Sequence, residues 1–135
     1  MKVVFTAGVF DLLHWGHFEL FRRSKALVES DGRLIVAVQR DEVVEKYKPG
    51  TKLCYDWSMR TKMIKAIRYV DEVVPYDDID KSIKRFKFDI FVIGGDQVHA
   101  GFQEAVRWCL DNGKEVVRLN RTEGVSSTQM RNGNI

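Results

Sequence analysis

The chain has 135 residues, 44% apolar and 30% charged, with 22 basic and 19 acidic side chains and a formal charge of +3. That fits one domain, residues 1–135, with its own core; the mild charge argues against a nucleic-acid surface, which needs a clustered basic excess, and suits an enzyme of small anions. No run reaches the roughly 20 apolar residues of a membrane helix, the first run is cut by Asp11 too early for a signal peptide, and Cys54 and Cys109 lack metal spacing, as reduced thiols of a cytoplasmic protein would.

In chain order, VVFTAG (3–8) reads as a buried strand and GHFELFRRSKALVE (16–29) as a helix, with Leu20, Phe21, Leu27 and Val28 on its apolar side. RLIVAVQ (33–39) is the second strand, and residues 40–56 read as a charged, irregular stretch around Pro49-Gly50. A helix follows over 56–70, with Asp56 or Ser58 as its N-cap. Then come a strand at 71–76, a helix at 78–86, a strand at 89–95 and a helix at 102–112 stopped by Gly113. A fifth strand at 115–120 precedes a short last helix at 126–131. Alternation of this kind predicts an α/β, Rossmann-like, doubly wound sheet of about five parallel strands. Ligands of such sheets bind beyond the carboxyl ends of the strands. That directs attention to GVFDLLHWGH (8–17), GGDQVHAG (94–101) and NRTEGVSSTQMR (120–131).

In the first stretch Gly8 permits a sharp turn, and Gly16 opens a helix whose unpaired N–H groups attract anions. His14 and His17 share one face of that turn and can donate to phosphate oxygens without a large fixed charge. By spacing alone they could also be half of a metal site, or two structural histidines, and Asp11 could be a turn residue. In the last stretch Arg121 offers a bidentate fork, Gly124 a tight turn, and Ser126, Ser127 and Thr128 hydroxyls at a helix start. An ordinary N-cap would use the same residues. Asp96 follows the glycine pair after the fourth strand, and His99 reads as a surface loop residue. Trp15 reads as a packing residue, and Trp57 and Trp108 as helix-face core or rim residues.

GVFDLLHWGH resembles the signature of the His-x-Gly-His nucleotidyltransferases, and more closely that of the cytidylyltransferases; RTEGVSST resembles their second signature, with Val125 and Ser127 as mild departures. Val9 departs too, where a threonine is usual. IRYVDEVVP (67–75) extends the likeness to nearly the whole chain. The resemblance implies a nucleotidyltransferase-type fold and transfer of CMP from CTP to a small phosphorylated acceptor, glycerol-3-phosphate first. Choline phosphate, ethanolamine phosphate, a phosphonate, or ATP with a sugar phosphate are alternatives within the same chemistry. A non-catalytic nucleotide sensor is another alternative. A dehydrogenase would need a Gly-x-Gly-x-x-Gly turn that is not there.

The resemblance makes His14, His17, Lys52 and Arg121 catalytic. Lys46 and Lys48 stand in reserve for Lys52 in the loop KYKPGTKLCYDWSMR (46–60). Nucleotide binding falls to Gly8, Val9, Phe10, Asp11, Gly16, Gly94, Asp96, Arg121, Thr122, Gly124, Val125, Ser126, Ser127 and Thr128, and acceptor binding to Asp11, Lys52 and Arg60. It further implies Mg²⁺ carried on the triphosphate without direct protein ligands, a homodimer, and no nucleic-acid or membrane partner.

Overall fold

A computed structural model describes residues 1–120 apart from Asp96. The expected helix at 126–131 lies outside the described residues. The elements are β1 (Val3–Gly8), α1 (Trp15–Lys25), β2 (Arg33–Gln39), α2 (Asp41–Tyr47), α3 (Trp57–Lys65), β3 (Glu72–Tyr76), α4 (Ile79–Ser82), a 3₁₀ turn (Ile83–Arg85), β4 (Ile90–Gly94), α5 (Ala100–Asp111) and β5 (Glu115–Leu119). All strand pairs are parallel, in the order β3-β2-β1-β4-β5. This is the expected α/β, Rossmann-like sheet.

The central strands β1, β2 and β4 are largely apolar on both sides because both faces are covered. On one face Phe5, Ala7, Phe91 and Ile93 pack with Ile79, Phe102, Ala105 and Cys109 of α4 and α5. On the other, Val4, Val36, Val38 and Val92 pack with Phe21 of α1 and Ile64 of α3. Successive residues of β1 and β4 thus feed opposite cores, as the two-residue period of a strand requires. Trp57 and Trp108 pack at the edges of these clusters, in line with the rim reading. Trp15 is 62% exposed and stands outside both core clusters.

Helix boundaries needed correction. The expected helix at 16–29 closes at Lys25, where Ala26 donates to the Arg22 carbonyl, and the one at 56–70 closes at Lys65. Residues 41–47, taken as irregular, form α2. Its single buried residue, Val44, gives little periodicity to read, while Asp41 and Glu42 favour the positive end of the helix. The Asp56 N-cap accepts from the Met59 amide at 2.8 Å, and Gly113 takes φ +73 just beyond α5.

The strand order reverses between β1 and β4. Their pairing runs only from Val4–Ile90 to Thr6–Val92, although β1 continues to Gly8 and β4 to Gly94. The carboxyl ends therefore part and open a crevice at the switch point. Phe91 is fully buried and stacks near Phe102 and Phe88 under β4. Phe91→Ala is expected to lower stability by about 3–5 kcal/mol. Urea denaturation would show this as an earlier midpoint at unchanged slope.

Candidate active site

The turn after β1 is built around one strained residue. Phe10 has φ +52, a region that costs a non-glycine residue of order 1–3 kcal/mol. Its ring is buried and meets Phe21 and His17 edge-on, both at 5.3 Å. Gly8 makes room for that ring: a Cβ there would lie 2.8 Å from it. The glycine is thus needed for close packing at the strand end.

The two histidines build the start of α1. His14 is the N-cap of α1, and its Nδ1 accepts from the Gly16 amide at 3.0 Å. His17 Nδ1 accepts from the His14 amide at 3.3 Å, closing a capping box made of histidines. The rings stack with centroids 3.9 Å apart. Accepting at Nδ1 assigns the ring proton to Nε2 in both residues, so each carries one Nε2–H donor. Burial, and then the neighbouring His14, push the His17 pKa from 6.5 down to about 3. His17 is therefore neutral at pH 7 and can only donate through Nε2, the form suited to a phosphate oxygen.

The loop between α2 and α3 is tied to this turn. The Asp11 carboxylate, 2% exposed, accepts from the Cys54 and Tyr55 amides at 3.0 Å. Arg60 is fully buried and donates to the Val9 carbonyl at 2.7 Å, to the Tyr55 carbonyl at 3.2 Å and to Asp41 at 2.5 Å. The other Asp41 oxygen accepts from the Trp57 amide, and the Trp57 indole donates to Val38. Arg60 and Asp11, expected to bind the acceptor, are both buried here and engaged with protein groups. Lys52 is exposed in the same loop, beside the exposed Lys46 and Lys48. Lys46 lies over the Tyr47 ring, and Lys48 together with burial lowers the His99 pKa, burial weighing more. His99 is exposed, as expected of a loop residue.

Across the crevice, Gln97 joins the parted strands. Its side chain donates to the Ala7 carbonyl at 2.8 Å and accepts from the Gly94 amide at 2.9 Å. Neither Gln97 nor Asp41 stood out in the sequence, since a glutamine in a loop and an acid opening a helix are ordinary. The structure brings together Gly8, Val9, Phe10, Asp11, His14, Gly16 and His17. It does so at one strand end, with Gly94 at the end of the neighbouring strand. Asp96, Arg121, Thr122, Gly124, Val125, Ser126, Ser127 and Thr128 lie outside the described residues.

The family model of cytidylyltransferase-like proteins matches residues 5–133. The chain belongs to the cytidylyltransferase-like family. It is 39% identical to the glycerol-3-phosphate cytidylyltransferase of Staphylococcus aureus (strain NCTC 8325 / PS 47), over 97% of this chain and 93% of that one. It is 38% identical to the enzyme of the same name from Bacillus subtilis (strain 168), over 97% and 95%. Among solved structures, the lipopolysaccharide core biosynthesis protein of Thermoplasma volcanium GSS1 superposes with a TM-score of 0.76 at 27% identity, covering 91% of this chain and 99% of that one. The chain is a nucleotidyltransferase of the cytidylyltransferase kind, with a nucleotide and a phosphorylated acceptor as substrates. Among the described residues no helix is long and apolar enough to cross a membrane.

The depressed His17 pKa has a consequence for stability. Between pH 3 and 6.5 the unfolded chain binds a proton that the folded chain does not, so folding stability is complete above about 6.5 and falls as pH drops toward 3. His17→Gln should flatten that decline, measured as urea midpoints from pH 7 to pH 4. An unchanged slope would show that other groups cause it.

Proposed function

We propose that the protein transfers CMP from CTP to glycerol-3-phosphate, releasing pyrophosphate and CDP-glycerol. The observation that carries this is the stacked His14–His17 pair at the opening of α1, with His17 neutral, beside the crevice between β1 and β4. The nearly full-length likeness to two glycerol-3-phosphate cytidylyltransferases supports the choice of substrates. An ionised oxygen of the acceptor phosphate attacks the α-phosphorus in line. A new phosphorus–oxygen bond forms, the bond to the β-phosphate bridging oxygen breaks, and that oxygen leaves with the electron pair on pyrophosphate. The acceptor needs no strong base, so catalysis rests on positioning and on stabilising charge in the transition state.

In this reading His14 and His17 donate their Nε2–H groups to phosphate oxygens, and the backbone amides near Val9 and Phe10 add donors. Lys52, with Lys46 and Lys48 as substitutes, brings a positive charge from the loop, and Arg121, Ser126 and Thr128 bind the departing phosphates. Gly94 and Asp96 border the nucleoside. Among the described residues no cluster of three or more His, Cys, Asp or Glu could hold a metal. By the resemblance Mg²⁺ would travel on the triphosphate, where it would offset the charge of the phosphates. A cytoplasmic homodimer completes the proposal on the strength of the resemblance.

The test is pyrophosphate release with Mg²⁺, CTP and ATP each being paired with glycerol-3-phosphate, choline phosphate, ethanolamine phosphate, a phosphonate and a heptose phosphate. Release with CTP and glycerol-3-phosphate is expected. Preference for ATP or another acceptor would replace the substrates and keep the chemistry, whereas CTP binding without release from any pair would make the protein a sensor. His17→Ala, with the fold retained by circular dichroism, is expected to lower kcat by about 10²–10³. Near-normal turnover would remove the histidine from the mechanism.

A further inference from the structure

We infer that Asp41 and Arg60 act as a pair that sets the Val9–Phe10 peptide, so that the Phe10 N–H serves as a donor to the bound triphosphate. This rests on the nucleotidyl-transfer reading and assigns Arg60 a positioning role in place of acceptor contact. The Arg60 Nη1 donates to the Val9 carbonyl at 2.7 Å. No cis peptide occurs among the described residues, and in a trans peptide the carbonyl and the following N–H point in opposite directions. Fixing the Val9 oxygen on Arg60 therefore turns the Phe10 N–H away from the guanidinium. No described residue accepts from that N–H, although Phe10 is only 7% exposed. In a nearly buried residue an amide with no acceptor among the described residues is unusual, and this one lies at the strand end where the phosphate site is expected.

The conformation needs an external hold. Phe10 sits at φ +52, which its own side chain does not favour. Gly8 accommodates the ring, but the only described side chain that donates to the Val9 carbonyl is Arg60. Arg60 is in turn aimed by Asp41, whose second oxygen accepts from Trp57 at the start of the same helix. The order of dependence is Asp41, Arg60, Val9 carbonyl, Phe10 N–H. A charged side chain with no solvent exposure and three protein acceptors has no geometry left for a substrate.

Asp41→Asn, Arg60→Lys and the double variant test this. Asp41 is partly exposed, so its substitution tests the idea even where Arg60→Lys fails to fold. Each single variant should lower kcat about 10- to 100-fold, by the same factor with every acceptor, with acceptor KM within about twofold. The double variant should be no worse than Arg60→Lys alone, because the two act through one another. A raised acceptor KM at unchanged kcat would overturn the inference and return Arg60 to the acceptor. A second readout is independent of turnover: the Phe10 amide resonance in a ¹H–¹⁵N spectrum on adding Mg²⁺ and inorganic tripolyphosphate. It should shift in the native protein and lose most of that shift in Asp41→Asn. No shift in the native protein would overturn the inference whichever substrates prove correct. A shift without any pyrophosphate release would leave it standing while the transfer reading fell.

Discussion

A guanidinium with no solvent exposure is the constraint around which this end of the molecule is arranged. Burying a charge costs several kcal/mol unless its donors are satisfied, and an arginine left unpaired there would not be tolerated. Arg60 meets that demand with the Val9 and Tyr55 carbonyls and the Asp41 carboxylate. These partners come from three places: the end of β1, the loop before α3, and the start of α2. Satisfying one cation therefore fixes three segments that are distant in sequence. The cost of its burial becomes a requirement that the loop, the helix and the strand end keep one relative position.

The second constraint is the phenylalanine at positive φ. Phe10 bends the chain where β1 ends, and its ring closes the core over Phe21 and under His17. The bend delivers His14 as the N-cap of α1, and the helix turn brings His17 onto His14. The same contacts that cap the helix decide which ring nitrogen keeps its proton. Helix start, ring tautomer and the neutral charge of His17 thus follow from one local geometry.

The sheet was legible in the sequence because it depends on patterns that repeat. Five apolar runs separated by helical periods left few arrangements, and both faces of β1 and β4 had to be covered. The turn at GVFDLLHWGH was legible for a different reason: glycines and two histidines directly after an apolar strand break its pattern and mark a turn rich in hydrogen-bond donors. The protein partners of Arg60 and Asp11 were not legible. An arginine on a helix and an aspartate after a strand look alike whether they face a ligand or the protein, and only tertiary contacts over 40 or more residues distinguish them, as between Asp11 and Cys54. α2 escaped for the opposite reason, since one buried valine in seven residues carries almost no period.

The same contacts explain how an exposed lysine can belong to an ordered site. The loop is secured early, where the Lys48 amide donates to Val44 and the Thr51 amide to Lys48. It is secured again where the Cys54 and Tyr55 amides meet Asp11. Lys52 lies between these two anchors, one residue past the first and two before the second. Its backbone is confined to a short span beside the turn after β1, while its side chain remains in solvent. A long flexible cation on a short fixed base can reach a highly charged ligand and withdraw from its product, because its base need not move. Asp11 contributes to that arrangement by placing the loop, and a carboxylate buried beside a phosphate site is tolerable because loop amides already satisfy it.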